Sequence, residues 1–235
     1  MISGAAFCPH PPVLVPDLAA GAASDLDELR RACIGAISVV AATGRQLVLL
    51  GTGEPSAMHS PLARGTFADY GLSLDVPLGS PSCGGEVELP LSLTVGAWLV
   101  REAIGPRSGA RAFSIGADFA SSRAAAELLR VAEDDDIALV VMGDGSARRS
   151  TTAPGYLDER AIPFDDGVAD ALRTGDAATL EGLDADLGAQ LLAAGVPAWR
   201  AAGRLLEGER WDATLSYYDA PYGVAYFAAT WIRSG

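Results

Sequence analysis

Several short runs of consecutive apolar residues divide the chain, and each is followed by a turn. The runs cover residues 2–7, 46–50, 111–115 and 137–142. Strands that are apolar on both faces are typical of the centre of a parallel sheet, where helices cover both sides. Residues 24–43 carry apolar side chains at helical spacing, with Ser24 or Asp25 as the N-cap and Gly44 at the end. This alternation of strand, helix and strand predicts the crossover that builds a parallel sheet.

The second half of the chain predicts more helices and a closing hairpin. A helix that follows Pro90 runs to about Ala103, and another covers residues 121–133. The β-rich runs 213–218 and 224–231 flank a Pro- and Gly-containing turn, which predicts an antiparallel hairpin.

Two further segments complete the predicted fold. Residues 51–85 are rich in Gly, Pro and Ser, which favours a functional loop, with an edge strand at 72–76. Residues 163–208 are a helical segment of three or four short helices. The whole pattern predicts an α/β fold with three layers, α/β/α, around a mostly parallel central sheet that ends in an antiparallel hairpin. We expect one domain over residues 1–235.

Composition narrows the class of protein. With 49% apolar and 20% charged residues, the chain is an ordinary globular one, and its net charge of -13 makes nucleic acid an unfavourable partner. The apolar runs are too short or too charged for a membrane span. Cys8, Cys33 and Cys83 are scattered, as expected for reduced thiols in the cytoplasm. All basic residues are arginine, which is typical of a GC-rich bacterial genome, such as an actinobacterial one.

The two histidines of the chain are the first candidates for chemistry. His10 lies in the turn after the first apolar run, and His59 lies just past the second. In open α/β sheets, ligands bind beyond the carboxyl ends of the strands, so loops from both strands can bring imidazoles to one point and share a metal. The alternative is that each histidine is a loop residue bonded to a backbone carbonyl, and spacing alone favours that alternative.

The loop after residues 137–142 holds the other polar candidates. Asp144 and Ser146 lie in a Gly-rich turn, which is followed by Arg148 and Arg149. The turn lacks the glycine spacing of a phosphate-binding loop, so a nucleotide- or phosphate-dependent enzyme is disfavoured. The arginines either hold an anionic substrate or pair with the acidic surface, and pairing is favoured. For Asp165 and Asp166 a stabilising position near a helix N-terminus suffices.

The order of several motifs resembles the LigB-type class III extradiol dioxygenase superfamily, which includes the Memo-like proteins. The matching stretches are Cys8-Pro9-His10-Pro11-Pro12, Pro55-Ser56-Ala57-Met58-His59, Glu86-Val87-Glu88-Leu89-Pro90, Met142-Gly143-Asp144-Gly145-Ser146, Phe164-Asp165 and Gly175-Asp176. Active members hold a non-haem Fe(II) with two histidines and a carboxylate, which leaves positions open for a catechol and dioxygen. The resemblance implies that His10 and His59 are the two histidine ligands.

The chain departs from the family pattern at two positions. Where the family has its acid/base histidine, this chain has Ala147, and an alanine cannot transfer a proton. Where the family has its third ligand, the chain has Ala193 and Ala194, which cannot bind a metal. The substitutes are Glu54, Asp144, Asp219 and Cys8, and Asp144 is the most attractive because it lies at the end of the strand that would neighbour the site. A turn-capping carboxylate is an equally good interpretation of Asp144. The other residues expected around the site are Cys8, Glu54, Ser146 and Arg148.

Two functions remain open at this point. The first is a divergent dioxygenase-like protein that binds Fe(II) or Zn(II) and a small aromatic ligand, without assured ring cleavage. The second is a non-catalytic ligand-binding or scaffold protein of the Memo-like type. A homodimer is expected by resemblance in either case.

Overall fold

The computed structural model describes residues 1–79, 88–105, 110–116, 127–128, 130–131 and 136–235. Its strands are β1 (Ile2–Cys8), β2 (Gln46–Thr52), β3 (Ala57–His59), β4 (Arg64–Thr66), β5 (Asp75–Pro77), β6 (Arg111–Ile115), β7 (Ile137–Met142), β8 (Trp211–Asp219) and β9 (Tyr226–Arg233). Seven of these strands form one sheet in the order β3-β6-β2-β7-β1-β9-β8, while β4 and β5 form a separate two-stranded sheet.

The centre of the large sheet is parallel and its borders are antiparallel. Strands β6, β2, β7 and β1 pair in parallel, as expected for runs that are buried on both faces. Strands β8 and β9 form the antiparallel hairpin that closes the chain, with β9 beside β1, and β3 runs antiparallel to β6. The predicted fold class is therefore confirmed, including the C-terminal hairpin.

Helices cover both faces of the sheet in the described part of the chain. They are α1 (Pro16–Ala19), α2 (Asp27–Ala41), α3 (Leu91–Ile104), α4 (Ala161–Thr174), α5 (Ala177–Glu181), α6 (Ala185–Gln190) and α7 (Val196–Leu206). Helices α2 and α3 pack on one face and contribute Ile37 and Leu93 to its core. Helices α4, α5 and α7 pack on the other face, with Leu172 and Trp199 in its core. The three-layer arrangement follows because strand side chains alternate between the two cores.

Several predicted boundaries shift. Helix α2 begins at Asp27, because a 3-10 helix, Ala20–Leu26, precedes it and no side chain caps its N-terminus. The predicted edge strand at 72–76 corresponds to β5, which pairs with β4 and lies outside the central sheet. The predicted helix at 121–133 lies largely outside the described residues, as does Cys83.

Candidate functional site

The order of the strands predicts a ligand crevice at the carboxyl ends of β1 and β7. From β1 the chain continues to α2 on one face of the sheet, whereas from β7 it continues to α4 on the other face. Neighbouring parallel strands whose connections leave toward opposite faces create the usual ligand crevice of α/β sheets. His10 follows β1 and Asp144 follows β7, so the fold brings these two predicted residues together.

His10 and Asp144 are in direct contact in this crevice. The backbone N–H of His10 donates to Oδ1 of Asp144 at 2.6 Å, and Nδ1 of the imidazole lies 3.6 Å from the same oxygen. That second distance is too long for a hydrogen bond, and the buried Nδ1 has no hydrogen-bond partner among the described residues. Burial raises the pKa of Asp144, an effect that the charge and the backbone N–H of His10 oppose.

His59 lies far from this pair. It is a residue of β3 and pairs with Ala112 of β6, at the border of the sheet. Strand β3 is separated from β1 by four inter-strand spacings, or about 19 Å. The prediction that the two imidazoles converge is therefore wrong. The physical reason is that the chain reverses direction after β2 and forms the antiparallel edge strand β3. This strand carries His59 away from the carboxyl ends of the parallel strands.

The surroundings of His59 explain it as a structural residue. Its Nε2 lies 3.1 Å from Oγ of Ser114, and this hydroxyl donates to the carbonyl of Pro55 and accepts from the N–H of Ala57. Burial lowers the pKa of His59, and the charge of Glu88 opposes this shift. Serine, histidine and glutamate are the residue types of a catalytic triad, but Ser114 is 2% exposed and its hydroxyl is already bonded to the backbone. The cluster fastens β3 to β6.

The residues that are present do not fit a two-histidine Fe(II) centre. Such a centre needs two imidazoles and a carboxylate on one face of the metal. Among the described residues, no three His, Cys, Asp or Glu side chains form a group that could hold a metal ion. The Cys8 thiol is buried and points to the carbonyl of Cys33 at 3.9 Å, away from a shared centre. His10 and Asp144 are thus the pair that remains of the predicted ligand set.

Three other predicted residues have separate surroundings. The carboxylate of Glu54 lies directly over Gly116, so this exposed glutamate packs over the ends of β2 and β6. Arg148 donates from Nη1 to the carbonyl of Gly155, which closes its own loop. Ser146 is buried and donates from Oγ to Asp165 at 2.5 Å. None of these contacts places the three side chains around His10.

Asp165 is the centre of a buried network that sequence reasoning missed. It accepts from the backbone N–H of Ser146 at 2.8 Å and from Nη1 of Arg149 at 3.3 Å. Arg149 also donates to the hydroxyl of Tyr218 at 2.7 Å, and that hydroxyl donates to Asp166. The prediction that Asp165 only stabilises a helix N-terminus is corrected, because its side chain is fully buried and joins the β7 loop to α4. No spacing pattern in the sequence signals this.

A cavity of about 690 Å³, which we name the α7 pocket, lies beside the crevice. Its wall at residues 193–196 is fixed by two hydrogen bonds, from Thr52 Oγ1 to the carbonyl of Ala194 at 2.6 Å and from the N–H of Gly195 to the carbonyl of Asp144 at 2.8 Å. The described residues that line it are Thr52, Ile115, Gly116, Leu128, Glu181, Ala185, Gly188, Ala189, Leu192, Ala193, Ala194, Val196, Pro197, Arg200, Ala201, Arg204 and Leu205. Ala193 and Ala194, at the expected place of the third ligand, are therefore pocket walls.

No family model matches the chain, and no curated protein matches it. A similar solved structure is that of the uncharacterized protein JW3007 from Escherichia coli K12, with 14% identity, a TM-score of 0.48, and coverage of 98% of this chain and 99% of that chain. In the described part of the chain, every helix is too short or too polar to cross a membrane.

Proposed function

We propose that this chain is a divergent LigB-like protein that binds a small, largely apolar molecule in the α7 pocket and does not cleave aromatic rings. The observation that carries the proposal is the pocket itself, which lies at the carboxyl ends of β2 and β6 where α/β sheets bind ligands. Its volume is within the range of small-molecule sites. Its small apolar side chains would accept a hydrocarbon or aromatic surface.

The positions that would carry ring cleavage support a non-catalytic protein. Ala147 supplies no acid or base, and its backbone is already used, since its N–H donates to Leu191 and its carbonyl accepts from Gly155. His59 takes part in the border of the sheet instead of the crevice. We therefore infer that the chain has the fold implied by the family resemblance but not the oxygen chemistry of that family. We place the protein in the cytoplasm, because Cys8 and Cys33 are buried free thiols.

A ligand screen with a blocked pocket tests the proposal. Aromatic and aliphatic fragments are added to the parent chain and to Ala189→Trp, whose new ring would fill the pocket from the exposed face of α6. A ligand present at about 100 times its Kd stabilises the folded state by about 2.7 kcal/mol, which a thermal shift detects. We expect shifts with the parent and none with Ala189→Trp.

The matched control is Ala178→Trp, which places the same ring on an exposed residue of α5 that does not line the pocket. This variant should respond to fragments as the parent does. If no fragment stabilises the parent, or if Ala189→Trp responds as strongly as Ala178→Trp, then the α7 pocket is not a ligand site.

A further inference from the structure

Two arginines on successive turns of α7 line the otherwise apolar pocket. Arg200 and Arg204 are four residues apart on one helix, so their side chains lie on the same face. Both are exposed and can therefore extend toward a bound molecule without losing a buried contact. The chain carries a net charge of -13, so these two neighbouring cations form a locally positive region on a negatively charged protein.

Among the residues that the structure describes, neither arginine forms an ion pair. The ion pairs of the described residues involve other arginines, such as Arg149 with Asp165 and Arg160 with Asp158. Arg200 donates one hydrogen bond, from Nη1 to the carbonyl of Leu183 at 3.0 Å. A guanidinium carries five N–H donors, so most of the donor capacity of this pair is available to a ligand.

The remaining walls define the other part of the ligand. Apart from Thr52, Glu181 and the two arginines, the described residues of the lining are Gly, Ala, Pro, Val, Leu and Ile. A cavity with apolar walls and a few polar groups fixes the body of a ligand by burial and its orientation by those polar groups. A molecule that uses both features has an apolar body and one anionic end.

Glu181 limits the negative charge that the anionic end of a ligand can carry. Its side chain lines the same pocket, yet it forms no ion pair with either arginine among the described contacts. A second negative charge on a ligand would be repelled by this carboxylate and by the acidic protein as a whole. A monoanion therefore suits the site better than a phosphate dianion, and the planar guanidinium matches a carboxylate in a bidentate geometry.

We propose that the α7 pocket binds an apolar monocarboxylic acid, with Arg200 and Arg204 holding the carboxylate and the Ala- and Leu-lined walls holding the body. The inference rests on the proposed function, because it names the class of ligand for the same pocket. It assigns these two arginines as the residues that determine specificity. Binding involves no covalent step.

A comparison of matched ligands tests this assignment. Naphthalene-2-carboxylate and the neutral 2-naphthylmethanol share one ring system, and calorimetry or ligand fluorescence gives the Kd of each for the parent chain. We expect the acid to bind at least about tenfold more tightly than the alcohol, since a charge-assisted bidentate contact is about twice as strong as a neutral hydrogen bond. The double variant R200Q/R204Q should remove this preference and leave the Kd of the alcohol within about twofold.

R31Q is the matched control, because Arg31 is an exposed arginine on α2 and lies outside the pocket lining. It should retain the preference for the acid. Equal binding of acid and alcohol to the parent, or an unchanged preference in R200Q/R204Q, would overturn the carboxylate assignment while leaving a ligand pocket in place. Tighter binding of 2-naphthyl phosphate than of the carboxylate would overturn the monoanion class. If neither ring compound binds and the fragment screen also fails, both the inference and the proposed function are wrong.

Discussion

At the scale of single residues, the most consequential side chain is Asp165. A buried carboxylate is unfavourable unless it is paired, and this one is paired with the backbone and hydroxyl of Ser146 and with Arg149. Burial raises its pKa and these hydrogen bonds and the arginine oppose the shift. The network holds the loop after β7 in place, and that loop contains Asp144, which contacts His10.

We predict that Asp165→Ala lowers the free energy of unfolding by about 3–5 kcal/mol, because Arg149 and the Ser146 hydroxyl then lose their partner inside the protein. Asp166→Ala is the matched control, since Asp166 is exposed and accepts only from the Tyr218 hydroxyl among the hydrogen bonds of the described residues. Its effect should be about 1 kcal/mol or less. Urea unfolding followed by circular dichroism measures both values. Equal losses in the two variants would contradict the network.

His59 gives a prediction for pH. Burial lowers its pKa from 6.5 in the folded protein, so between 6.5 and the lowered value the unfolded chain binds a proton that the folded chain does not. The free energy of unfolding therefore falls as the pH falls through this window. His59→Gln should remove that part of the pH dependence and keep a hydrogen bond to Ser114. Unfolding curves of both proteins between about pH 7.5 and pH 5 check this. The range is set by the pKa of about 6.5 of an ordinary histidine.

Should the two proteins lose stability in parallel as the pH falls, the environment assigned to His59 is wrong. His10→Gln is not a suitable control because the His10 side chain lies beside the carboxylate of Asp144. Acid unfolding from the carboxylates sets in at lower pH and is common to both proteins.

At the scale of elements, the approach of α7 to the sheet shapes the pocket. Gly195 precedes α7 and lies against the ring of Trp199, where an added Cβ would be 2.5 Å from the indole. Gly143 at the end of β7 faces the same ring at similarly short range. The backbone can approach this closely only because both positions lack a side chain. The pocket wall at residues 193–196 depends on that contact.

We predict that Gly195→Ala lowers the free energy of unfolding by about 1–3 kcal/mol, because the new methyl group overlaps the Trp199 ring. The backbone of Gly195 is in the right-handed helical region, so the effect is steric and not conformational. Gly167→Ala in α4 is the control: open space surrounds that position, and alanine should stabilise the helix by about 0.5–1 kcal/mol. Chemical denaturation measures both, and a shift in tryptophan emission should accompany only Gly195→Ala.

If Gly195→Ala is as stable as the parent, α7 has room to move away from the sheet. The shape of the α7 pocket would then not be fixed by this contact.

At the scale of the whole molecule, the sheet order decides which chemistry is available. His10 follows β1 and His59 ends β3, and the strands β6, β2 and β7 lie between these two strands. Of the predicted metal ligands, His10 and Asp144 therefore meet beyond the ends of β1 and β7, and His59 does not join them. Two donors leave a divalent iron weakly held compared with the three-donor arrangement of the oxygenases.

We predict that the protein reconstituted anaerobically with Fe(II) consumes no oxygen with catechol, protocatechuate or gallate, because His59 lies away from His10 and Ala147 replaces the acid/base histidine of the family. An oxygen electrode measures turnover, and metal analysis after gel filtration measures retained iron. His10→Ala and His59→Ala should retain the same small amount as the parent. If the parent retains about one Fe(II) per chain and both variants lose it, the two-histidine centre exists after all. One Fe(II) per chain is the stoichiometry that such a centre requires.

Local patterns were sufficient for most of the strands and for the class of fold. The boundaries of β6 and β7 agree with the predicted ranges, because a short run that is apolar on both faces has few alternatives to a central parallel strand. The terminal hairpin was predicted from its Pro- and Gly-containing turn. Motif order also drew attention to His10 and Asp144, which the structure places in contact. The family resemblance itself stays a prediction.

The remaining features could not be predicted from sequence because they depend on contacts between distant segments. The position of His59 depends on which strand pairs with β3. Strand β3 has three residues, which are too few to show a hydrophobic periodicity in the sequence. In the sequence, Asp165 is an ordinary acidic residue near the start of a helix. Its contacts with Ser146 and Arg149 form only in the folded chain.

The sequence by itself determined the parallel core, its helical layers and the hairpin that ends the chain, because burial on one or both faces imposes a periodicity that can be read locally. Only the tertiary structure decided which polar groups share a crevice and where a cavity is left between helix and sheet. Those outcomes depend on strand order and on the close approach of backbone at Gly143 and Gly195, and no local periodicity encodes either one.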